Sequence, residues 1–336
     1  MKMMKQMACA ALAAALAAGI SGCGSKDYST PKVAEGAVFA LAMRSPAKTS
    51  LAPLVEKYKL NDYKAALEKM PADAKDLFNE LGLDKVETQW VVVTVGGEIS
   101  MDKIPDVAVA AATTLDLDKV VAAAEKEKDK KVEFKKKDIA GVTAYEIVEK
   151  GEKVVPCVAS LDGKLFIGAS SAAILEKQIA LYRDGKGASA DFASFKLGGN
   201  DILRAKTVKV GEAVKKALPD PDMLKEVNAM IPDGDKLVLG LGAVELAATS
   251  DGKDIKLDLS VETAADADAE KLVTAAKGGL MMATAAAKQE AEKDEGAKAA
   301  LGALESAKVV NEGKVAKLTL AAPADPILKF VSENAK

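Results

Sequence analysis

Apolar and polar residues follow two distinct periods along this chain, and together they predict both strands and helices. Short apolar runs bounded by turn residues, such as Ala37 to Met43, Trp90 to Val95 and Ile202 to Val208, are typical of strands. Longer amphipathic stretches, such as Ser50 to Leu81 and Val210 to Met230, predict helices. Hairpin-linked strands flanked by long helices favour an antiparallel sheet with helices packed on one face, so the predicted fold class is α+β.

The order of the predicted elements repeats once. Asp116 and Asp266 lie 150 positions apart, and each follows a predicted strand and opens a predicted helix. The turn Asp162 to Leu165 corresponds to Glu312 to Val315, and an amphipathic helix follows each turn. Ordered landmarks of different kinds at a constant spacing predict an internal duplication, although sequences rich in Ala, Lys and Glu also align by accident.

The duplication predicts two similar α+β domains, residues 33–188 and 198–336, with the junction near Gly198-Gly199-Asn200. In this alignment the apolar run Leu237 to Leu241 is aligned with the predicted strand Trp90 to Val95.

The longest helical tract is predicted from Asp266 to about residue 300. Gly278-Gly279 weakens it by roughly 1 kcal/mol per glycine, which predicts a break or a flexible point. Leu280, Met281 and Met282 follow the glycines. Adjacent methionines can line an adaptable apolar groove, and ordinary core packing is the alternative.

The first 22 residues have the pattern of a secretion signal. Lys2 and Lys5 precede an apolar stretch that is too short to span a bilayer as a stable helix, and small residues lead to Ile20-Ser21-Gly22-Cys23. This four-residue sequence fits a lipobox, so the segment resembles bacterial lipoprotein precursors.

The resemblance implies cleavage before Cys23, a thioether-linked diacylglycerol on its sulfur and membrane attachment through that lipid. Residues 23–32 are then a lipidated tether. Because Gly24 and not Asp follows the cysteine, the expected location is the outer membrane, facing the periplasm.

The composition of the chain argues against several classes of function. Loss of Lys2 and Lys5 with the signal changes the formal charge from −3 to −5, which argues against nucleic-acid binding. The chain has no histidine, so Ser-His-Asp catalysis and histidine-based metal sites are excluded. Cys157 remains as the one thiol of the mature chain, in a strand-like run that predicts a buried structural residue.

The remaining motifs have structural explanations. Gly240-Leu241-Gly242 lacks the third glycine of a dinucleotide loop, and Asp233-Gly234-Asp235 does not continue into a calcium-binding loop. We therefore expect no catalytic residues, metal ligands or cofactor.

Three function hypotheses follow. The leading one is a non-enzymatic envelope lipoprotein that binds or scaffolds another envelope component. The alternative is a periplasmic carrier of a lipid or other apolar ligand, whose wall includes Trp90, Leu280, Met281 and Met282. An enzyme that uses paired carboxylates is third, and it requires an acid with a raised pKa in a cleft.

Overall fold

The computed structural model describes residues 28–60, 86–97, 105–126, 132–149, 151, 154–217, 228, 231, 233–291 and 295–334. These residues form two compact units, and the chain passes from the first to the second between Leu197 and Gly198. Residues 49–58 belong to the second unit, although they fall within the range predicted for the first domain.

The first unit is built on antiparallel strands. In sheet order they run β1-β2-β3-β7-β6-β5-β4. Their bounds are β1 Ala37–Arg44, β2 Thr88–Gly96, β3 Asp106–Thr113, β4 Val132–Ile139, β5 Val142–Glu149, β6 Cys157–Leu161 and β7 Leu165–Ala169. Two hairpin turns place consecutive residues at positive φ, Ala140-Gly141 and Asp162-Gly163. This backbone geometry matches the twist of the strands it joins.

Two helices pack on opposite faces of the first unit's sheet. Helix α3 (Ala172–Asp184) covers the face of Trp90, since Tyr182 stacks on the indole with ring centroids 6.1 Å apart. Helix α2 (Leu117–Lys126) covers the other face, where its apolar residues join a cluster around Val158. The one-face arrangement expected from the sequence is therefore wrong for this unit, because α2 has its own apolar stripe to bury.

Both ends of α3 are fixed by local chemistry. The Ser171 side chain accepts a hydrogen bond from the Ile174 amide at 3.4 Å, which caps the first turn. Gly185 ends the helix in the left-handed conformation with φ 70°. The helix buries Leu175, Ile179 and neighbouring residues against the sheet, and this packing fixes the position of the helix.

The segment before β1 is packed against the first unit. Tyr28 is 7% exposed, and its hydroxyl donates a 2.9 Å hydrogen bond to Asp162. The Lys32 amide donates to the Tyr182 hydroxyl at 3.0 Å. Residues 28–32, assigned to the tether from sequence, are thus part of the folded unit in the structure.

The second unit is also built on an antiparallel sheet, with fewer strands. Their sheet order is β8-β9-β10-β12-β11, and all pairs are antiparallel. The strands are β8 Asp201–Thr207, β9 Val244–Ser250, β10 Asp254–Glu262, β11 Lys308–Glu312 and β12 Val315–Pro323. The helices are α1 Ala52–Lys57, α4 Val210–Ala217, α5 Gly234–Leu239, α6 Asp266–Ala291, α7 Glu295–Ser306 and α8 Ala324–Asn334.

Two local expectations fail in the second unit. The run Leu237 to Leu241, aligned with a strand, instead contains the end of helix α5, and the strand that follows begins at Val244. The glycines Gly278-Gly279 do not break α6, which is continuous over 26 residues. Packing of α6 on the sheet and on α7 outweighs the low helix propensity of the two glycines.

Candidate functional site

The predicted lipidation site, Cys23, lies outside the described residues. The structure does describe the chain from Tyr28 onward, five positions later. Within the described parts of the chain, no helix is long and apolar enough to cross a membrane.

Trp90 is a core residue of the first unit. It is 1% exposed, its ring stacks on Tyr182, and its indole nitrogen donates a 2.8 Å hydrogen bond to the Tyr28 carbonyl oxygen. Both contacts are internal to the unit, so the indole surface is occupied by packing.

The other predicted wall residues lie on α6 of the second unit. Met281 and Met282 are 75% and 73% exposed, whereas Leu280 is half-buried. Phe330 and Val331 on α8 of the same unit are also exposed. Solvent-exposed methionines are available for contact with an apolar partner.

Cys157 has the environment of a structural thiol. It is fully buried, and its Sγ lies 3.6 Å from the Val155 carbonyl oxygen. Burial, together with the nearby charge of Glu146, raises the pKa of the thiol, which disfavours the nucleophilic thiolate. Across the described ranges, no group of three or more His, Cys, Asp or Glu side chains could hold a metal ion.

A cavity of about 220 Å³ lies in the first unit, and sequence reasoning did not find it. We call it the Gln178 cavity. It forms where the segment entering β1 meets the adjoining ends of β2 and β3, beneath helix α3. Small residues make its floor: Ala37, Gly96 and Ala108 are all buried.

Close backbone packing forms one wall of the Gln178 cavity. A Cβ atom on Gly96 would lie 2.8 Å from the carbonyl oxygen of Gly36, so only glycine fits there. Ala37 pairs with Gly96, and the register shifts between Ala37 and Phe39. The irregularity turns the strand at the edge of the cavity, as bulges do beside many binding sites.

Most polar side chains of the cavity have no hydrogen-bond partner among the described residues. Gln178 is 4% exposed, and its amide has no hydrogen-bond partner in the parts of the chain that are described. Glu35, Asp106 and Lys177 line the same space, are solvent-exposed, and have no side-chain partner among the described residues. The Thr94 hydroxyl donates to the Ala108 carbonyl oxygen at 3.4 Å and keeps its lone pairs free to accept.

One signal in the sequence could have located this cavity. Gln178 occupies a position in the apolar stripe of α3, between Leu175 and Tyr182, where a large hydrophobic residue is usual. A polar residue in a core-facing stripe indicates either a buried hydrogen-bond network or a binding site.

Comparison with known proteins gives little further guidance. No protein-family model matches the sequence, and no curated protein matches it. Among solved structures, crystal forms I and III of TP0453 match with 12% and 13% sequence identity and TM-scores of 0.38 and 0.42. Each match covers 90% of this chain and 95% or 96% of the other. TM-scores this low do not establish a shared fold.

Proposed function

We propose that this protein is a non-enzymatic lipoprotein of the bacterial envelope, anchored by a diacylglycerol on Cys23. The observation that carries the proposal is the lipobox Ile20-Ser21-Gly22-Cys23 after a charged and then apolar start. With Gly24 after the cysteine, the proposed location is the outer membrane on its periplasmic side.

The packing of the N-terminal segment limits how far the first unit can lie from the proposed anchor. Four residues separate Cys23 from Tyr28, and Tyr28 is hydrogen-bonded into the first unit. Five peptide steps span at most about 18 Å when fully extended. A lipidated Cys23 therefore holds the Tyr28 end of the first unit close to the bilayer surface.

The strand order of the two units supports an internal duplication. Without β4 and β5, the first unit reads β1-β2-β3-β7-β6, and the second reads β8-β9-β10-β12-β11. In each, a hairpin follows a helix and precedes a closing helix. We propose that the two units arose by duplication and that β4 and β5 are an insertion in the first.

The polar cavity and the exposed helices fit a binding role better than they fit a catalytic role. The Gln178 cavity offers hydrogen-bonding groups without partners. The carboxyl groups whose pKa departs from the ordinary value include Asp325, where a hydrogen bond from Lys57 lowers the pKa. A general acid requires a shift in the opposite direction.

A carrier of a lipid or other apolar ligand is the second candidate. The high exposure of Met281 and Met282 favours contact of α6 with an apolar molecule or protein surface. Native mass spectrometry of protein purified from a diderm envelope tests this role. A stoichiometric adduct that has the mass of a lipid and is removed by denaturation supports the carrier, and a protein mass without such an adduct supports the scaffold.

Fractionation of cells that express Cys23→Ala tests the anchor. We expect this variant to leave the membrane fraction, because no lipid can be attached. The matched control is Cys157→Ala, which removes a buried thiol and should stay membrane-bound. Full membrane retention of Cys23→Ala would refute the proposal.

A further inference from the structure

We propose that the Gln178 cavity binds a small zwitterion that carries an ammonium and a carboxylate group, the chemistry of a free α-amino acid. This inference rests on the binding role proposed above and names its ligand class. It does not depend on the lipid anchor.

The amide of Gln178 is the first argument. Neither of its polar atoms is among the fully buried atoms without a partner in the described residues, so the amide is reached from the cavity. Gln178 is 4% exposed and lines the cavity, yet it has no partner in the described part of the chain. A ligand or ordered water with both a donor and an acceptor would satisfy it.

The charges around the cavity are the second argument. Glu35 and Asp106 present carboxylates, and Lys177 presents an ammonium group, all unpaired among the described residues. Two acids and one base together suit a ligand with both signs of charge. The ligand ammonium pairs with Glu35 or Asp106, and its carboxylate pairs with Lys177.

The size of the cavity is the third argument. Its volume of about 220 Å³ is below the usual range for drug-sized ligands, which begins at about 300 Å³. The floor is made of Ala37, Gly96 and Ala108, so nothing bulky fills the space. An amino acid with a small side chain fits this size, and a long-chain lipid does not.

Isothermal titration of the lipidated protein in detergent tests the ligand class. The probes are glycine, L-alanine, D-alanine and L-glutamine, compared with ethylamine and propionate, which each carry one of the two charges. We expect at least one amino acid to bind, and both single-charge compounds to bind at least tenfold more weakly. Binding of none of the amino acids, or equal binding of propionate, would overturn the proposal.

Surface variants show whether binding occurs in this cavity. Lys177→Met and Asp106→Asn should each lower the affinity for the amino acid at least tenfold. Their matched controls, Lys186→Met and Glu176→Gln, change exposed residues on or just after α3 that do not line the cavity, and they should bind normally. Equal affinities across all four variants would place the ligand elsewhere and refute the assignment.

Replacement of Gln178 separates a binding role from a structural one. Gln178→Met keeps the length of the side chain and removes the amide. We expect amino-acid binding to fall at least tenfold, while the unliganded variant unfolds at the parent temperature or above it. A lower unfolding temperature together with unchanged affinity would mean that the amide serves the fold. Membrane fractionation of the same variant reports on the anchor independently.

Discussion

The indole nitrogen of Trp90 donates a 2.8 Å hydrogen bond to the carbonyl oxygen of Tyr28. Trp90 lies on β2, and Tyr28 lies nine residues before β1, so this bond fastens the N-terminal segment to the core of the first unit. The hydroxyl of Tyr28 reaches Asp162 in the β6–β7 turn and adds a second attachment. These two bonds hold the start of the described chain against the first unit.

Trp90→Phe should destabilise the first unit by about 1–3 kcal/mol, because the buried Tyr28 carbonyl loses its donor and the ring contact shrinks. Denaturant unfolding followed by circular dichroism measures this, since the change removes the single tryptophan. Tyr145→Phe is the control. It loses an exposed hydrogen bond to Asp118 and should cost less than about 1 kcal/mol. Equal losses for both variants would contradict the core role of Trp90.

Gly96→Ala should destabilise the protein by about 1–3 kcal/mol, because the new Cβ would lie 2.8 Å from the Gly36 carbonyl oxygen. The control is Gly168→Ala on β7, where the nearest atom would be 3.6 Å away, an ordinary contact. Thermal unfolding of both variants is the measurement. If Gly96→Ala unfolds at the parent temperature, the close approach beside the Gln178 cavity is wrong.

Alkaline pH should weaken the contact of the N-terminal segment. Burial and the hydrogen bond to Asp162 raise the pKa of Tyr28 from 10.0 to about 12. Because the fold favours the neutral phenol, this contribution is complete below pH 10 and is lost as the pH rises through 12.

The variant Tyr28→Phe cannot ionise at this position. Its free energy of unfolding should fall less steeply than that of the parent between pH 10 and 12. Denaturant unfolding at several pH values measures the two slopes, and identical slopes would show that Tyr28 is not the group responsible.

The two methionines of α6 should be dispensable for folding. Met281→Gln and Met282→Gln change side chains that are about three-quarters exposed, so stability should stay within about 0.5 kcal/mol of the parent. Leu280→Gln is the matched control, and it should destabilise more because Leu280 is half-buried. Thermal unfolding of the three variants checks this. A large loss at Met281 or Met282 would mean that they pack in the core.

The sequence predicted the positions of several strands well. It predicted the elements between the strands less well. Strand β1, strands β2 and β3, and the hairpin around Asp162-Gly163 follow from alternation and turn chemistry, which are local properties. The run Leu237 to Leu241 misled the alignment because five mostly apolar residues fit a buried strand or a short helix equally well.

Beyond the signal of Gln178 in α3, the lining of the cavity could not be predicted, because it depends on contacts between distant segments. Glu35, Asp106 and Gln178 are brought together by pairing of β1, β2 and β3 and by packing of α3 on the sheet. Sequence motifs, in contrast, consist of residues that are close together in the chain, as Asp116 and Asp118 are at the start of α2. The structure gives these two local roles: Asp116 accepts a hydrogen bond from the Lys119 amide at 3.2 Å, and Asp118 accepts one from Tyr145.

The central claim is that the chain works as a lipoprotein anchored through Cys23, and intact mass spectrometry of the protein extracted from membranes tests it most directly. We predict a mature chain that begins at Cys23, lacks residues 1–22 and has an added mass that fragmentation places on Cys23 as diacylglycerol with or without a further acyl chain. An unprocessed chain, or a processed one with an unmodified Cys23, would contradict the claim.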